Sequence, residues 1–328
     1  MRVRISIVLA ALAVTLVLPG MAAAGGGAAT AQASAEHDRI LAYWTPARIA
    51  AAKWRDYTLD SKTGKVSSAK GKPGSSGTGA SWTGGGQVYS SVGRILFSSG
   101  GSQWICSGTV VSGATGNGYS VVLSAGHCAY DGGDGWSSNF VFYPNFDVEP
   151  TYTCQGRVNG CWTASRLAIN AGFYPSGFGP DSALRVDYSF AYLPNSTNGE
   201  LDSRFPGFGL KTSGTSTADT QWAFGFPAEG RYKGYDLIYC TGSTINDPND
   251  VGTWGMACNM NGGSSGGGWL YGPTNPGTDN GKLLSSVNSY GYSGLAYMFG
   301  PRFTSATTTV MGDVIDNSAT GGTTVLRP

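Results

Sequence analysis

A serine lies within a run of glycines in the segment Cys258–Trp269. Glycine lets a backbone approach a substrate closely and turn its N–H groups toward one point. Those groups could stabilise the oxyanion that attack by Ser265 creates. A hydroxyl nucleophile needs a base, and the chain has only two histidines, His37 and His127. Because His37 falls in the N-terminal leader, the chain before residue 87, His127 is the one realistic base.

The order of these residues along the chain separates two classes of hydrolase. Residues Gly263–Gly267 satisfy the pattern G-x-S-x-G, which also describes the nucleophile elbow of α/β-hydrolases. Those enzymes need the order Ser, acid, His, and no histidine follows Ser265. The available order is His, acid, Ser, which excludes the α/β-hydrolase interpretation.

Three sequence blocks resemble the chymotrypsin-like serine proteases, and within them secreted bacterial trypsin-like or V8-like peptidases. Leu123–Cys128 is similar to the family's histidine block, Gly262–Gly267 to its serine loop, and Cys106–Val111 to the strand before the histidine. The resemblance covers about residues 88 to 305. It implies two packed antiparallel β-barrels, polypeptide substrates, and neither a cofactor nor a metal.

The resemblance also implies a role for each residue of the site. Asp187 opens a block similar to the family's D-x-A-hydrophobic segment. In that assignment Ser265 attacks the peptide carbonyl, His127 takes and returns the proton, and Asp187 orients His127. The backbone N–H groups of Gly263 and Ser265 would form the oxyanion hole.

Alternatives to this triad remain at three positions. Ser264 is the rival nucleophile, although the register of the serine loop favours Ser265. Asp181 is the other nearby acid, but its Gly-Pro-Asp context is more typical of a turn. Cys128 next to His127 offers a thiol, yet sequence neighbours do not point at each other and a disulfide is favoured.

One departure from the family pattern lies next to the nucleophile, and it bears on the substrate pocket. Ser264 occupies the position where many relatives have an Asp that captures a newly freed N-terminal ammonium, an ion pair that serine cannot make. Counting back from Ser265 places Asn259 near the base of the primary pocket, which does not support selection of Arg or Lys by a buried carboxylate.

The segment Val287–Gly291 resembles the strand that walls the pocket and pairs with the substrate backbone. This would place Asn288 and Ser289 in the pocket. The alternative is an ordinary core strand.

Composition points to an all-β fold and excludes some partners. Net charge is +1 with 12% charged residues and no basic run, so no nucleic-acid partner is expected. The 52 glycines, with recurring short apolar segments, indicate short strands joined by tight turns. No helical period is sustained beyond the leader, which favours an all-β barrel or sandwich, expected to be a monomer.

The N-terminus predicts export. Arg2 and Arg4 precede an apolar run, Ile5–Leu18, followed by small residues. This is typical of a signal peptide cleaved after Ala24 or Ala35, and the run is shorter than the ~20 residues of a membrane span. We therefore expect an extracellular protein with no membrane contact after cleavage; the alternative is an uncleaved anchor.

The composition of the leader after the signal peptide is typical of a propeptide. It is polar and irregular, except for a short helix from Pro46 through Trp54 with Thr45 as N-cap, and Lys70–Gly77 is typical of a linker. The alternative is an extension that stays attached. The predicted divisions are a signal peptide over 1–35, propeptide and linker over 36–86, a first barrel with His127 and Asp187 over 87–200, a second barrel with Ser265 over 201–311, and a flexible tail over 312–328.

Six cysteines fit an oxidising compartment. They allow 15 pairings, and the spacing suggests Cys106–Cys128, Cys154–Cys161 and Cys240–Cys258. A metal site is the rival interpretation, but the chain has neither a C-x-x-C motif nor a second histidine nearby.

These observations favour a secreted serine endopeptidase acting through an acyl-enzyme. Two other functions stay open. A serine esterase would use the same triad, because the acyl chemistry is shared. A catalytically silent relative would bind peptide or cell-wall material without cleaving it.

Overall fold

The structure is a computed structural model that describes residues 24–68, 79–113, 116–179, 181–195, 198–260, 262–319 and 321–327, with side chains of the first helix described from residue 32. Residues 1–23 of the predicted signal peptide and the predicted linker Lys70–Gly77 lie outside the described residues. No helix within the described ranges is long and apolar enough to cross a membrane.

The leader is more ordered than its composition indicates. Its elements are α1 (Ala24–Tyr43), α2 (Pro46–Ala51), β1 (Lys53–Trp54), β2 (Tyr57–Leu59), β3 (Val66–Ser68) and β4 (Ala80–Ser81). The Thr45 side chain accepts from the Arg48 N–H at 3.3 Å, which caps α2 as predicted. The helix ends at Ala51 instead of Trp54, because the chain then extends and pairs with strands of the body.

The first barrel is a curled sheet that spans most of the next hundred residues. Its elements are α3 (Gln87–Ser91), β5 (Val92–Ser99), β6 (Ser102–Val111), β7 (Tyr119–Ser124), α4 (Gly126–Ala129), β8 (Tyr130–Asp131), β9 (Gly135–Trp136), β10 (Ser138–Pro144), β11 (Trp162–Thr163), β12 (Arg166–Asn170), α5 (Asp181–Leu184) and β13 (Ser189–Pro194). The strand order is β11-β10-β5-β6-β7-β13-β12, with β1 of the leader added on β6.

Side chains of β5 alternate between two cores, as the period of two in a strand requires. Ile95 and Phe97 fill the barrel, whereas Val92 and Leu96 join the apolar cluster that packs the barrels and the leader together. Every residue of β5 is buried, so this strand lies at the centre of the molecule.

The second barrel follows in two sheets. Its elements are α6 (Leu201–Arg204), β14 (Gly209–Leu210), β15 (Gln221–Gly225), β16 (Ile238–Gly242), β17 (Thr244–Asn246), β18 (Trp254–Ala257), β19 (Gly268–Tyr271), β20 (Leu283–Val287), β21 (Tyr290–Tyr292) and β22 (Tyr297–Gly300). The strand orders are β14-β20-β19-β15-β16-β4 and β17-β18-β22-β21-β2-β3. Leader strands thus extend both sheets. The predicted all-β architecture of two packed barrels is confirmed.

The C-terminal segment departs from two predictions. A helix, α7 (Ser305–Asp316), follows the second barrel and is capped by reciprocal Thr304 and Thr307 contacts. After it, β23 (Thr324–Leu326) pairs with β12 of the first barrel. Residues 312–328 were predicted to be a flexible tail, but α7 continues to Asp316, and its Val314 is buried against the core one turn after the buried Val310. The threonine-rich sequence conceals this apolar face because β-branched residues have low helix propensity.

All six cysteines form disulfides in the pairing that the spacing suggested: Cys106–Cys128, Cys154–Cys161 and Cys240–Cys258. The first joins β6 to α4, and the third joins β16 to the chain just after β18. We expect that alkylation of the unreduced protein modifies no cysteine, and that mass spectrometry of its peptides recovers these three cross-links. Alkylation of any cysteine in the folded, unreduced protein would contradict this pairing.

Candidate active site

His127 and Asp187 meet because their strands pair. His127 follows β7 in the short helix α4, and Asp187 precedes β13; these strands are antiparallel with Ser124 opposite Ser189. The Asp187 carboxylate accepts from His127 Nδ1 and from the His127 backbone N–H, both at 2.8 Å. Both side chains are fully buried. Donation from Nδ1 leaves Nε2 as the basic nitrogen of the neutral ring.

The buried carboxylate of Asp187 has a third donor, Ser289, whose hydroxyl binds the same oxygen as His127 Nδ1. A buried carboxylate is costly unless hydrogen bonds satisfy it. Nε2 of His127 is also buried and has no hydrogen-bond partner among the described residues. Asp187 therefore fixes the orientation of the His127 imidazole and leaves Nε2 without a hydrogen-bond partner among the described residues.

The nucleophile loop, residues Gly262–Gly268, brings Ser265 against the histidine segment. The Ser265 carbonyl accepts from the Ser107 N–H at 2.8 Å. Gly266 has φ +85°, and a Cβ there would lie 2.1 Å from the Ser124 hydroxyl. Only glycine permits this approach. The tight glycine turn therefore packs onto the end of β7, which leads directly to His127.

The rival nucleophile, Ser264, faces the second barrel. A Cβ built on Gly225 of β15 would lie 3.0 Å from the Ser264 Cβ, and Ser264 is buried. The Ser265 hydroxyl instead donates to Asp56 of the leader at 3.2 Å. The packing of Ser264 on β15 therefore supports Ser265 as the nucleophile.

Carbonyl contacts determine where the N–H groups of the nucleophile loop point. The Gly262 carbonyl accepts from the Ala228 N–H at 2.7 Å, and the Ser264 carbonyl accepts from Asn288 Nδ2 at 2.8 Å. In a trans peptide the N–H points opposite to the C=O. The N–H groups of Gly263 and Ser265, which the sequence predicts as the oxyanion hole, therefore point away from these partners.

The leader enters this site through Asp56. Its carboxylate accepts a hydrogen bond from the Ser265 hydroxyl at 3.2 Å. The next residues of the leader, in β2, pair in parallel with β21, with Tyr57 opposite Tyr290. Beside Ser265 and Asp56 remains a cavity of only about 10 Å³, about the volume one water needs. The leader thus leaves room for about one water beside Ser265.

Tyr57 of the leader covers His127. Its ring lies edge-on to His127 with centroids 5.2 Å apart and stacks on Phe178 at 4.3 Å. Its hydroxyl donates to Asp131 at 2.8 Å. Burial raises the pKa of the Tyr57 hydroxyl. Burial also pushes the pKa of Asp131 upward, but hydrogen bonds from Tyr57 and two backbone N–H groups outweigh it and lower the pKa.

Arg55, the residue before Asp56, anchors the leader to the first barrel. Its side chain is 3% exposed, and its guanidinium lies 2.9 Å from the Asp134 carboxylate and 4.6 Å from the centre of the Trp104 ring. It also donates to the His127 carbonyl at 3.4 Å. Three consecutive leader residues, Arg55, Asp56 and Tyr57, thus contact the two central residues of the candidate site.

The three residues predicted for the substrate pocket, Asn259, Asn288 and Ser289, all bind other groups of the protein. Asn288 lies beside the cavity but is fully buried and binds the carbonyls of Phe224 and Ser264. Ser289 binds Asp187. Asn259 does not line the cavity next to Ser265: its amide oxygen accepts from Tyr232 at 2.6 Å, and Met260 lines the cavity instead. These two residues lie in irregular chain after β18, and a displacement of one residue changes which side chain faces the cavity.

The wall strand β21 is held by a buried carboxylate that sequence analysis did not single out. Asp247 accepts from the hydroxyls of Tyr290 at 2.6 Å and Tyr292 at 3.0 Å. Burial and the neighbouring Asp247 carboxylate raise the pKa of Tyr292 to about 12. Both tyrosines therefore remain neutral donors that hold β21 in place.

Sequence analysis also missed Arg94 and the triplet Arg55–Tyr57. Both left a signal. Arg94 is the one charged residue of the apolar strand β5. A charged side chain is rarely buried unless it has partners, so this position indicates specific contacts. The triplet places two charges between Trp54 and Tyr57 in a leader that is otherwise rich in small polar residues.

Three solved structures similar to this chain are proteases. Protease Anisep from Arthrobacter nicotinovorans is 31% identical over 70% of this chain and 94% of its own, with a TM-score of 0.57. The thermostable serine protease AL20 from an extremophilic microorganism is 30% identical over 72% of this chain and 100% of its own, with a TM-score of 0.58. A Glu endopeptidase in complex with MPD, 19% identical over 73% and 96% with a TM-score of 0.53, shares the fold. No family model and no curated protein matches the chain.

Proposed function

Because the chain belongs to the chymotrypsin-like serine proteases of bacteria, we propose that it is a secreted serine endopeptidase with the triad His127, Asp187 and Ser265. The observation that carries this proposal is the fully buried His127–Asp187 pair, with Nε2 unpartnered among the described residues, beside the glycine turn of Ser265. The disulfides and the predicted signal peptide support an extracellular site of action.

The proposed reaction follows from the orientation of each group. Ser265 Oγ attacks the peptide carbonyl carbon and its proton passes to His127 Nε2, while Asp187 stabilises the imidazolium through Nδ1. The N–H groups of Gly263 and Ser265 donate to the oxyanion. The C–N bond then breaks as Nε2 returns the proton to the leaving amine. Water, deprotonated by His127, hydrolyses the acyl-enzyme and restores Ser265.

We further propose that the leader is an inhibitory propeptide, which makes the full chain a zymogen. The Asp56 carboxylate accepts a hydrogen bond from the Ser265 hydroxyl, and the Tyr57 ring covers His127. A substrate carbonyl cannot reach the nucleophile while both remain. Once the leader has left, the cavity lining contributed by Met260, Tyr290 and Met298 carries no charge, so we expect no preference for Arg or Lys there.

A covalent probe and a protein substrate together test the proposed function. A foreign protease site is placed within residues 69–78, the full chain is folded, and the leader is then cut away. We expect a fluorophosphonate probe to label the cut protein at Ser265 and casein to be digested. Labelling without casein cleavage would identify the esterase, and absence of labelling would identify the silent binder.

Loosening the leader should activate the uncut chain. Removing one partner of a charged hydrogen bond costs about 1.5–3 kcal/mol, and each 1.4 kcal/mol shifts an equilibrium about tenfold. We therefore expect Arg55→Ala and Asp56→Ala each to raise the rate of probe labelling at least about tenfold. The matched control is Asp60→Ala, which removes a leader carboxylate whose partners among the described residues all lie within its own turn. Unchanged labelling in both variants would refute an inhibitory leader.

A further inference from the structure

Arg94 is a buried cation between the two barrels. It lies in β5 between Val92 and Leu96, on the face that packs against the second barrel, and is 1% exposed. Its Nε donates to the Tyr152 hydroxyl at 3.0 Å. Among the described residues, no carboxylate lies within 4.0 Å of its guanidinium. An arginine without an acidic partner is costly in such a place, so its remaining contacts matter.

Those contacts reach the nucleophile loop. Arg94 Nη1 donates to the Gly263 carbonyl at 3.2 Å and also to the Phe226 carbonyl. The Ser107 hydroxyl donates to the same Gly263 carbonyl at 2.8 Å. A Cβ built on Gly263, whose φ is +97°, would lie 2.9 Å from Nη1. The guanidinium is thus packed directly onto the residue whose N–H is assigned to the oxyanion hole.

The hydrogen bonds of Arg94 and Ser107 act on one particular peptide plane of the nucleophile loop. The peptide plane between Gly263 and Ser264 lies between the two N–H groups that would bind the oxyanion. Ala228 holds the carbonyl before this plane, and Asn288 holds the carbonyl after it. Arg94 and Ser107 hold the plane itself. If this plane rotated, the N–H groups on either side of it would lose their common direction.

We propose that Arg94 is a positioning residue that holds the oxyanion loop in its reactive arrangement from inside the folded body. This role rests on the proposed protease function. Ser264, the residue before the nucleophile, has no carboxylate that could pair with a terminal ammonium. The guanidinium of Arg94 is present before and after any cut in the leader, so the arrangement of the loop does not depend on a new N-terminus.

The expected kinetic signature follows from where the bond acts. Misaligned oxyanion donors weaken transition-state binding more than substrate binding, so kcat falls while KM changes little. Loss of one oxyanion donor costs about 10²–10³-fold in kcat. For Arg94→Met we expect a loss on the order of 10²-fold. Arg94→Lys keeps the charge without the planar fork and should lose on the order of 10-fold.

Arg157→Met is the matched control. Arg157 is also a buried arginine of the first barrel, and it likewise donates to backbone carbonyls, those of Gly160 and Pro144. Its contacts lie outside the nucleophile loop. Arg157 differs in having a carboxylate, that of Glu149, 3.7 Å from its Nε. Both substitutions remove a buried guanidinium that binds backbone carbonyls, and only Arg94→Met is expected to change kcat.

The experiment uses the full chain, folded and then cut within residues 69–78. Active sites are counted with the fluorophosphonate probe, kcat and KM are measured on a peptide amide, and affinity for a peptide aldehyde reports the oxyanion hole. A further form carries one extra residue at the new N-terminus. We expect Arg94→Met to lose kcat and aldehyde affinity at unchanged KM, and the extended form to keep full activity.

Two results would overturn this role. One is Arg94→Met with kcat within threefold of the parent, or with losses no different from those of Arg157→Met. The other is an extended form that is inactive, which would mean that a terminal ammonium orders the loop. If Arg94→Met does not fold, a parental kcat and aldehyde affinity in Arg94→Lys would overturn the role, and the intermediate loss would support it. An unlabelled parent protein would instead refute the proposed function.

Discussion

The Ser265→Ala variant, with its leader cut away, is expected to lose peptide hydrolysis by about 10⁴-fold or more in kcat. The same loss is expected for His127→Ala, because the nucleophile and its base act as a unit and removal of either disables both. The measurement is the initial rate on a peptide amide at saturating substrate. Circular dichroism and thermal unfolding of each variant show that its fold is kept.

Ser264→Ala is the natural control for the nucleophile. Its hydroxyl is the neighbouring alternative, but its side chain packs over Gly225 on the second barrel. We expect this variant to retain the labelling of Ser265. If Ser265→Ala kept full activity and Ser264→Ala lost it, the nucleophile would be Ser264.

The second large effect is expected for Asp187→Asn. The side chain is fully buried and nearly isosteric with asparagine, so the pocket can accommodate the change. An amide N–H directed at Nδ1 makes that nitrogen the acceptor and puts the imidazole proton on Nε2. The ring can then no longer accept the proton of Ser265. The expected loss in kcat is about 10⁴-fold, as for other triads with this change.

Asp181→Asn controls for the loss of an acid close in sequence. Asp181 begins the short helix α5 and is exposed. We expect its kcat to equal that of the parent in the same peptide assay. An Asp187→Asn variant that retained more than a tenth of the parental kcat would show that another group orients His127.

Much of the fold could be predicted from local sequence, because a strand or a turn leaves a recognisable pattern within a few residues. Of the segments that the sequence predicted as strands, Cys106–Val111 lies within β6 and Val287–Gly291 overlaps the start of β21. Apolar, β-branched segments between glycine-rich turns produce this signal. Short strands such as β11 and β17 were not predicted, because two or three residues contain no periodicity.

The triad candidates could also be found from sequence, for a chemical reason. A serine in a glycine loop, a single histidine outside the leader and an aspartate before an apolar strand leave few combinations. The three disulfide pairs were likewise within reach, because neighbouring cysteines close short loops. The order of residues thus determined which groups are available for the proposed chemistry.

Tertiary structure alone decided what surrounds those groups. Asp56 meets Ser265 across 209 residues of sequence, and Arg94 meets Gly263 across 169. Such contacts depend on how two barrels and a leader pack, and no local pattern records them. Likewise Asn259 and Met260 differ by one position, and packing determined which of them faces the cavity. Sequence determined the reactive groups because their chemistry is a property of residue type; the fold determined their partners because contact between distant segments is a property of the packed whole.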